Sequence, residues 1–274
     1  MKIYANTIVR NDERWIWYAV SSIVDYVEKI LIWDTGSTDN TLDIIRKLKE
    51  EYPEKIFIKE VERADPHEFS LFRQEMLDAS DCDWIIVLDS DEIWWDKSIS
   101  KIIKTINEGN VDVIVTPFIN LVGDIYHFQE EKAGRYNIDG KVGNITVKVF
   151  RKNISGLKVS NNYGSEGYVD GSGKFLQKSV AVKRKFIEAP FLHTTHLVRS
   201  EKDFETMGRK GKVKHEIGKS FSKDFYYPEA LFRDRAEVVP SPWNVMTKEF
   251  RFKAFFETPL RKIKRKIWKG KVGY

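Results

Sequence analysis

Short runs of β-branched and aromatic residues alternate with stretches of helical periodicity over the first hundred residues of this chain. The runs predict strands at residues 3–9, 29–33, 56–60 and 84–88. The stretches between them predict helices at residues 14–26, 41–51 and 69–79. Strands and helices that alternate in this order form a parallel sheet with crossover helices on its faces. The chain is therefore predicted to be an α/β protein.

The pattern changes beyond Asp112, where the apolar runs become shorter and glycine-containing loops separate them. Strands are predicted at residues 111–117 and 145–151, and we expect them to extend the sheet of the first half. Prolines oppose a long unbroken helix before the C-terminal tail; they are Pro228, Pro240, Pro242 and Pro259. We divide the chain accordingly into residues 1–115, 116–225 and 226–274.

The composition bounds the class of protein. With 274 residues, 42% of them hydrophobic, the chain can bury a sizeable core. Its one cysteine, Cys82, cannot form an intramolecular disulfide or a cysteine-based zinc site, which fits a reducing compartment. The first apolar stretch is interrupted by Asn6 and is too short and too polar for a signal peptide or a membrane span. A cytoplasmic protein is expected.

Positive charge is concentrated at the C-terminus. Residues 248–274 contain ten Lys or Arg residues and two Glu residues, although the whole chain has a net charge of only +5. The rest of the chain is therefore mildly acidic, whereas a nucleic-acid-binding domain carries basic residues across its recognition face. No nucleic-acid partner is expected.

Three acidic residues follow the apolar strand predicted at residues 84–88; the motif reads Asp89, Ser90, Asp91 and Glu92. In an open α/β sheet, ligands bind at the carboxyl ends of the strands. Carboxylate oxygens are the ligands that Mg²⁺ and Mn²⁺ prefer. The motif therefore predicts a metal site, with a solvated acidic turn as the alternative because short motifs recur by chance.

A second polar turn and an arginine are expected near the same edge of the sheet. Asp34 and Thr35 follow another apolar strand, and Gly36 permits a tight turn before the next helix. The Asp34 carboxylate could accept hydrogen bonds from a base or a ribose, but a capped strand–turn–helix connection explains the same residues. Arg73, on the helix before the acidic motif, could pair with a diphosphate or lie on the surface.

Taken together, these segments resemble glycosyltransferase family 2, and most closely its bacterial surface-polysaccharide members. The segments that carry the resemblance are IVRNDE at 8–13, DTGSTDNT at 34–41, FSLFRQ at 69–74 and LDSDE at 88–92. Their shared order and spacing are far more specific than any one motif. Thr35 departs from the Asp of many relatives, and Gln74 from their Asn. The resemblance implies a GT-A (Rossmann-like) fold, in which helices flank a mixed, mainly parallel sheet.

The resemblance also implies roles for individual residues. Residues 1–115 would bind a nucleotide diphosphate sugar, and residues 116–225 would bind the acceptor. Asp89 and Asp91 would bind Mn²⁺ or Mg²⁺. The residues that would contact the nucleotide sugar are Val9, Arg10, Asn11, Asp34, Thr35, Arg73 and Ser90.

An inverting transfer requires a group that takes the proton of the acceptor hydroxyl as this hydroxyl attacks the sugar. Residues 147–151 resemble the strand that precedes the acceptor region in the family, and Glu166 then falls near the position of the family's catalytic base. Glu166 is the first candidate and Asp170 the second. Either residue could instead be an ordinary loop acid.

His193 and His196 follow an apolar segment, at a position where GT-A enzymes often place a histidine that completes the metal site or contacts the diphosphate. We predict His196 rather than His193 for this role, although one or both histidines could instead be hydrogen-bonded near the core. No further ligands cluster with the pair to form a structural zinc site. A basic stretch comes next, which could close over phosphates as a loop or form a solvated helix face. Its residues are Arg199, Lys202, Arg209, Lys210 and Lys212.

The C-terminal tail has the pattern of a basic amphipathic helix. Its apolar residues, which recur at helical spacing among lysines and arginines, are Phe252, Phe255, Phe256, Leu260, Ile263, Ile267 and Trp268. Such a helix can lie on an anionic membrane surface. Alternatively, its apolar stripe could pack on the body of the protein.

The sequence thus predicts a metal-dependent inverting glycosyltransferase, peripheral on the inner face of the membrane. It would transfer a sugar from a nucleotide diphosphate sugar to a glycan or lipid-linked acceptor in cell-surface polysaccharide synthesis. The alternative is a non-catalytic nucleotide-sugar-binding protein or a membrane-associated adaptor.

Overall fold

The computed structural model describes residues 1–62, 68–160, 166–202 and 209–267. The helices in this part of the chain are α1 Ile16–Ser21, α2 Thr41–Glu51, α3 Phe69–Ala79, α4 Asp96–Glu108, α5 Arg209–Lys212 and α6 Lys248–Ile267. The strands are β1 Ile3–Val9, β2 Lys29–Asp34, β3 Ile56–Glu60, β4 Trp84–Val87, β5 Glu92–Trp94, β6 Val113–Val122, β7 Asp124–Phe128, β8 Tyr136–Ile138, β9 Lys141–Gly143, β10 Ile145–Arg151, β11 Lys158–Ser160, β12 Gly167–Val169, β13 Arg184–Phe186, β14 Phe191–His193 and β15 Lys219–Ser220. Short 3-10 helices occur at Glu131–Ala133 and Glu229–Leu231.

One large sheet organises the described residues. Its main path has the strand order β15-β7-β6-β10-β4-β1-β2-β3, to which β5, β13 and β14 attach. The strands β4, β1, β2 and β3 are parallel to one another, whereas β10 lies antiparallel between β4 and β6. The predicted mixed α/β sheet flanked by helices is confirmed.

The core fixes the relative position of β1 and β4. Both strands are almost entirely buried, and their register pairs Ile3 with Trp84 and Asn6 with Val87. Helix α4 adds Ile99, which is fully buried, and its neighbours at helical spacing. Each fully buried side chain of this size contributes about 1.5–3 kcal/mol. The loops that follow β1 and β4 are therefore held side by side.

The strand order creates a crevice between those two loops. From β1 the chain proceeds outward through β2 and β3, and it then returns to the other side of β1 to form β4. In open α/β sheets, ligands bind where the strand order reverses, outside the carboxyl ends of the strands. The residues that follow β1 and β4 therefore lie where a ligand site is expected.

Helix α6 differs from the prediction at Pro259, because it continues through this residue. The proline removes one backbone hydrogen bond of the helix. On the preceding turn, the Thr258 hydroxyl donates to the Ala254 carbonyl at 2.6 Å. Within the described residues, no helix has both the length and the apolar character needed to cross a bilayer.

Candidate active site

The loops that follow β1 and β2 are joined by hydrogen bonds. The amide and the hydroxyl of Thr35 both donate to the Val9 carbonyl, each at 3.0 Å. Asn11 has a positive φ of 48°, which turns its amide toward the Ser37 hydroxyl at 2.9 Å. The Asn11 side-chain oxygen accepts from the Thr38 amide at 2.8 Å. The predicted nucleoside-binding residues of these two loops therefore form one continuous wall.

Asp34 presents an incompletely satisfied carboxylate at this wall. Its side chain is buried, and Oδ1 accepts from the amides of Gly36 and Ser37 at 3.0 and 2.9 Å. Oδ2 is also buried, but it has no hydrogen-bond partner among the described residues, and the same holds for Nε of Arg10. A buried polar atom without a partner costs about 1–3 kcal/mol, so a ligand that supplies the missing hydrogen bond is favoured.

Asp12 connects the β1 loop to the acidic motif, a role that the sequence did not reveal. The Ser90 hydroxyl donates to Asp12 Oδ2 at 2.6 Å, and Arg199 Nη1 donates to the same oxygen at 3.3 Å. Arg199 Nη1 also lies 3.7 Å from Asp91 Oδ2. The basic stretch was predicted either to close over phosphates or to form a solvated helix face. Arg199 agrees with the first alternative, since its guanidinium lies at the candidate site.

Asp89 lies between two cations. Arg73 Nη2 donates to Asp89 Oδ1 at 3.1 Å, and Lys148 Nζ donates to Oδ2 at 2.6 Å. Burial opposes ionisation of Asp89, but Lys148 and Arg73 hold its pKa below the usual value. Asp89 is therefore a fixed anion at the end of β4.

Lys148 is a second residue whose importance the sequence did not show. It lies on β10 with only 7% of its surface exposed, and Nζ is 2.7 Å from Glu92 Oε1. Burial alone would lower the pKa of Lys148, but Asp89 and Glu92 raise it above the usual value. Burial raises the pKa of Glu92 well above its usual value, against the opposing charge of Lys148. A lysine between valines in an apolar strand was the available signal.

The two candidate bases have different surroundings. Glu166 Oε1 lies 3.9 Å from Arg73 Nε, so Arg73 connects Glu166 to the Asp89 cluster. Asp170 is held within its own turn, where Ser172 and Ser179 donate to its two oxygens. These two hydroxyls lower the pKa of Asp170 to about 2. The structure therefore brings Glu166 to the cluster and gives Asp170 a structural position.

His193, rather than His196, lies beside the acidic motif. Nε2 of His193 is 3.5 Å from Asp91 Oδ1. The Asn120 side-chain oxygen lies 3.0 Å from Nδ1 and accepts from it, so in a neutral ring the lone pair lies on Nε2, the nitrogen that faces Asp91. His196 instead donates from Nδ1 to the Lys212 carbonyl at 2.9 Å and accepts from Lys214 at Nε2 at 2.8 Å. Both ring nitrogens of His196 are therefore engaged outside the acidic motif.

A divalent cation fits Asp91 and His193. No cluster of three potential metal ligands occurs within the described residues. However, Mg²⁺ and Mn²⁺ commonly take one or two protein ligands and complete their shell with water and substrate phosphates. A carboxylate oxygen and an unprotonated imidazole nitrogen form such a pair. Asp89, the other predicted ligand, would first have to leave Lys148 and Arg73.

The environment of His196 predicts a pH-dependent stability. Burial, with help from the nearby Lys214 charge, lowers the pKa of His196 to about 2, from 6.5 in an unfolded chain. Between these two values the unfolded chain binds one more proton than the folded protein, so stability falls as the pH falls. Between pH 7 and pH 5, His196→Asn is therefore expected to lose about 2 kcal/mol less unfolding free energy than the wild type.

Urea unfolding at the two pH values, with a chelator present, measures this difference. His215→Asn is the control, because its ring is partly exposed and lies 3.4 Å from Glu257. An identical pH dependence in wild type and His196→Asn would show that His196 is not held neutral by its surroundings.

Comparison with known proteins identifies the family. The model of glycosyl transferase family 2 matches residues 7–163, more than half of the chain. The prophage-derived glycosyltransferase SunS of Bacillus subtilis is 26% identical over 144 residues, which cover 51% of this chain and 32% of SunS. An uncharacterized glycosyltransferase of Nostoc sp., alr2836, is 28% identical over 114 residues, or 40% of this chain and 34% of that protein. The chain thus spans about a third of the length of these curated relatives.

Among solved structures, S. aureus TarS in complex with UDP-GlcNAc superposes with a TM-score of 0.48 and 16% identity, covering 71% of this chain and 58% of that chain. The match of the family model includes the β1 loop, the Asp34 turn, Arg73 and the acidic motif that meet in the crevice. The resemblance seen in the sequence is confirmed: the chain belongs to glycosyltransferase family 2.

Proposed function

We propose that this protein is an inverting transferase that moves a sugar from a nucleoside diphosphate to an acceptor hydroxyl. The observation that carries the proposal is the set of groups gathered in one crevice. A buried carboxylate with one unsatisfied oxygen, an Asp–His pair and three largely buried cations lie there together. The carboxylate would bind the nucleoside, and the Asp–His pair would bind the metal ion. The three cations would balance the negative charge of the diphosphate.

The donor would bind across the three loops. Asp34 Oδ2 would accept from the base or the ribose, and Arg10 Nε would donate to the same nucleoside. Arg73 and Arg199 would pair with the diphosphate. A Mn²⁺ or Mg²⁺ ion held by Asp91 and His193 would neutralise the charge that develops on the leaving diphosphate. Charges that the fold has already arranged around the crevice would stabilise the transition state more strongly than water does.

Glu166 is our proposed base. As the bond from the acceptor oxygen to the anomeric carbon forms, the bond from that carbon to the diphosphate oxygen breaks, and the hydroxyl proton passes to the Glu166 carboxylate. Attack on the face opposite the leaving group inverts the anomeric centre. Arg73, 3.9 Å from Glu166, would position this carboxylate relative to the diphosphate.

A large cavity beside the crevice is our proposed acceptor site. Its volume is about 1710 Å³, and its walls include Phe118, Phe128 and Phe221. The ring of Phe118 lies 5.4 Å from that of His193, which places the cavity next to the proposed metal ligand. Basic residues, among them Lys214, also line the cavity. Aromatic walls combined with cations favour a lipid-linked acceptor that carries a phosphate over an uncharged glycan.

Calorimetric titration with nucleoside diphosphates and their sugars, with Mn²⁺ or with a chelator, tests the donor site. We expect one nucleotide to bind and Mn²⁺ to tighten its binding. Asp91→Asn should abolish this gain from Mn²⁺, and Asp34→Ala should weaken binding by about tenfold or more, because it removes a buried hydrogen bond.

Asp43→Asn and Asp43→Ala are matched controls, since this aspartate is exposed on α2. Both should bind nucleotides like the wild type. Absence of any nucleotide binding, or a full Mn²⁺ effect in Asp91→Asn, would contradict the proposed donor site.

A further inference from the structure

Helix α6 is attached to the rest of the protein by one narrow face. Ala254 and Thr258 are its buried residues, and the Thr258 hydroxyl accepts from the Ile217 amide at 2.8 Å. Arg265, two turns further on, forms a bidentate ion pair with the buried Glu216, with one N–O distance of 2.6 Å. Since these residues recur at helical spacing, they form a single stripe of small and polar side chains.

The opposite face of α6 is apolar and exposed. Its residues have between 52% and 78% of their surface exposed; they are Phe252, Phe255, Phe256, Leu260, Ile263 and Ile267. At about 100° per residue, most of them lie roughly opposite Ala254 and Thr258. The apolar stripe therefore does not pack on the described body of the protein, which was one of the two alternatives from the sequence. Trp268 lies outside the described residues.

Lysines border this apolar stripe on both sides. At helical spacing, Lys253 and Lys264 fall along one edge of the stripe, and Lys262 and Lys266 fall along the other. Long lysine side chains can extend past an apolar surface and keep their charges in a polar layer. An apolar stripe between two rows of lysines is the pattern of a helix that lies in the plane of a membrane interface.

We propose that α6 docks this protein on an anionic lipid surface, with the exposed stripe inserted between the lipids. Charge argues for this occupant over a second copy of the chain. The helix contains eight Lys or Arg residues and two Glu residues, so two copies packed stripe to stripe would bring like charges together. Anionic headgroups would instead pair with the flanking lysines. This inference does not depend on the proposed transferase activity.

Sedimentation with lipid vesicles tests the proposal on the full chain. The protein should bind vesicles of phosphatidylcholine mixed with phosphatidylglycerol, and it should bind vesicles of phosphatidylcholine alone much more weakly. Phe252→Ser/Phe256→Ser should reduce binding by on the order of tenfold or more, since each phenylalanine loses its burial in the lipid. Lys262→Gln/Lys266→Gln should reduce it by about fivefold for each lysine, and only on anionic vesicles.

Leu71→Ser/Val180→Ser is the matched control, because both residues are exposed and lie outside α6. It should bind vesicles like the wild type.

The proposal is overturned if the wild type does not bind anionic vesicles, or if the control loses as much binding as the phenylalanine variant. It is also overturned if light scattering without lipid finds a dimer that only the phenylalanine variant dissociates. Asp91→Asn should retain vesicle binding, so loss of transferase function and loss of docking can be told apart.

Discussion

Glu166→Gln is expected to lower kcat by about 10²–10⁴-fold, the usual contribution of a general base. Glutamine keeps the size of the side chain and can still accept a hydrogen bond, but it cannot take the acceptor proton. Glu166 lies beside Arg73 and not beside Asp34, the proposed ligand of the nucleoside. The affinity for the nucleotide should therefore change little. The donor is the nucleotide sugar that binds in the calorimetric titration. The rate of nucleoside diphosphate release from this donor, measured with and without acceptor, gives kcat.

Asp170→Asn separates the two carboxylates that the sequence offers as bases. The structure surrounds Asp170 with donors from its own turn, so this variant should unfold at a lower temperature but keep most of its turnover per folded molecule. Loss of turnover in Asp170→Asn, with turnover retained in Glu166→Gln, would reverse the assignment. A wild-type protein that binds the donor tightly and never releases product would favour the non-catalytic alternative.

Hydrophobic periodicity predicted the first half of the fold well. The bounds of β1, α2, β3 and α3 agree with the prediction. Helix α1 is shorter than predicted, and just past its end the Ser22 hydroxyl donates to the Ala19 carbonyl at 2.7 Å, a side-chain bond that competes with helix continuation. Helix α6 is longer, because periodicity continues across Pro259 and the proline alone does not end it.

The candidate site was only partly predictable. Asp34 ends β2 and Asp91 follows β4, and β1 lies between these parallel strands. The carboxyl ends of all three strands meet at one edge of the sheet, so local sequence was sufficient to bring these residues together. Lys148, by contrast, meets Asp89 across 59 residues of chain, and Arg199 meets Asp12 across 187. No local pattern encodes such pairs, because the strand order and the return of the C-terminal segment create them. The choice between His193 and His196 also depended on which ring faces the sheet edge.

The central cluster links function to stability. Asp89 follows β4 and Glu92 begins β5, and Lys148 contacts both carboxylates. Replacing a complete buried ion pair can be harmless, whereas removing one partner leaves an uncompensated buried charge. We therefore expect the folded protein to depend on this lysine, which holds both acids next to the proposed donor site.

Lys148→Met is accordingly expected to reduce the unfolding free energy by about 3–5 kcal/mol, although methionine fits the space and suits an apolar strand. The loss should depend on pH. Without Lys148, the already raised pKa of Glu92 rises further, so the folded protein binds more protons than the unfolded chain. Stability is then lost as the pH rises from the usual pKa of a glutamate toward that of Glu92. Urea unfolding should therefore show a larger defect at pH 8 than at pH 5.

Lys185→Met is the matched control for this lysine. Lys185 lies on β13, which pairs with β6 in the same sheet, but its side chain is 52% exposed and its ion pair with Glu108 spans 3.5 Å. Exposed pairs of this kind contribute about 0–1 kcal/mol, so the control should unfold almost like the wild type. Adding Glu92→Gln to Lys148→Met should recover part of the unfolding free energy lost at pH 8, because it removes the carboxylate that has lost its partner. Equal losses in Lys148→Met and Lys185→Met, or a defect independent of pH, would show that the cluster is solvated and that Lys148 does not hold these acids in place.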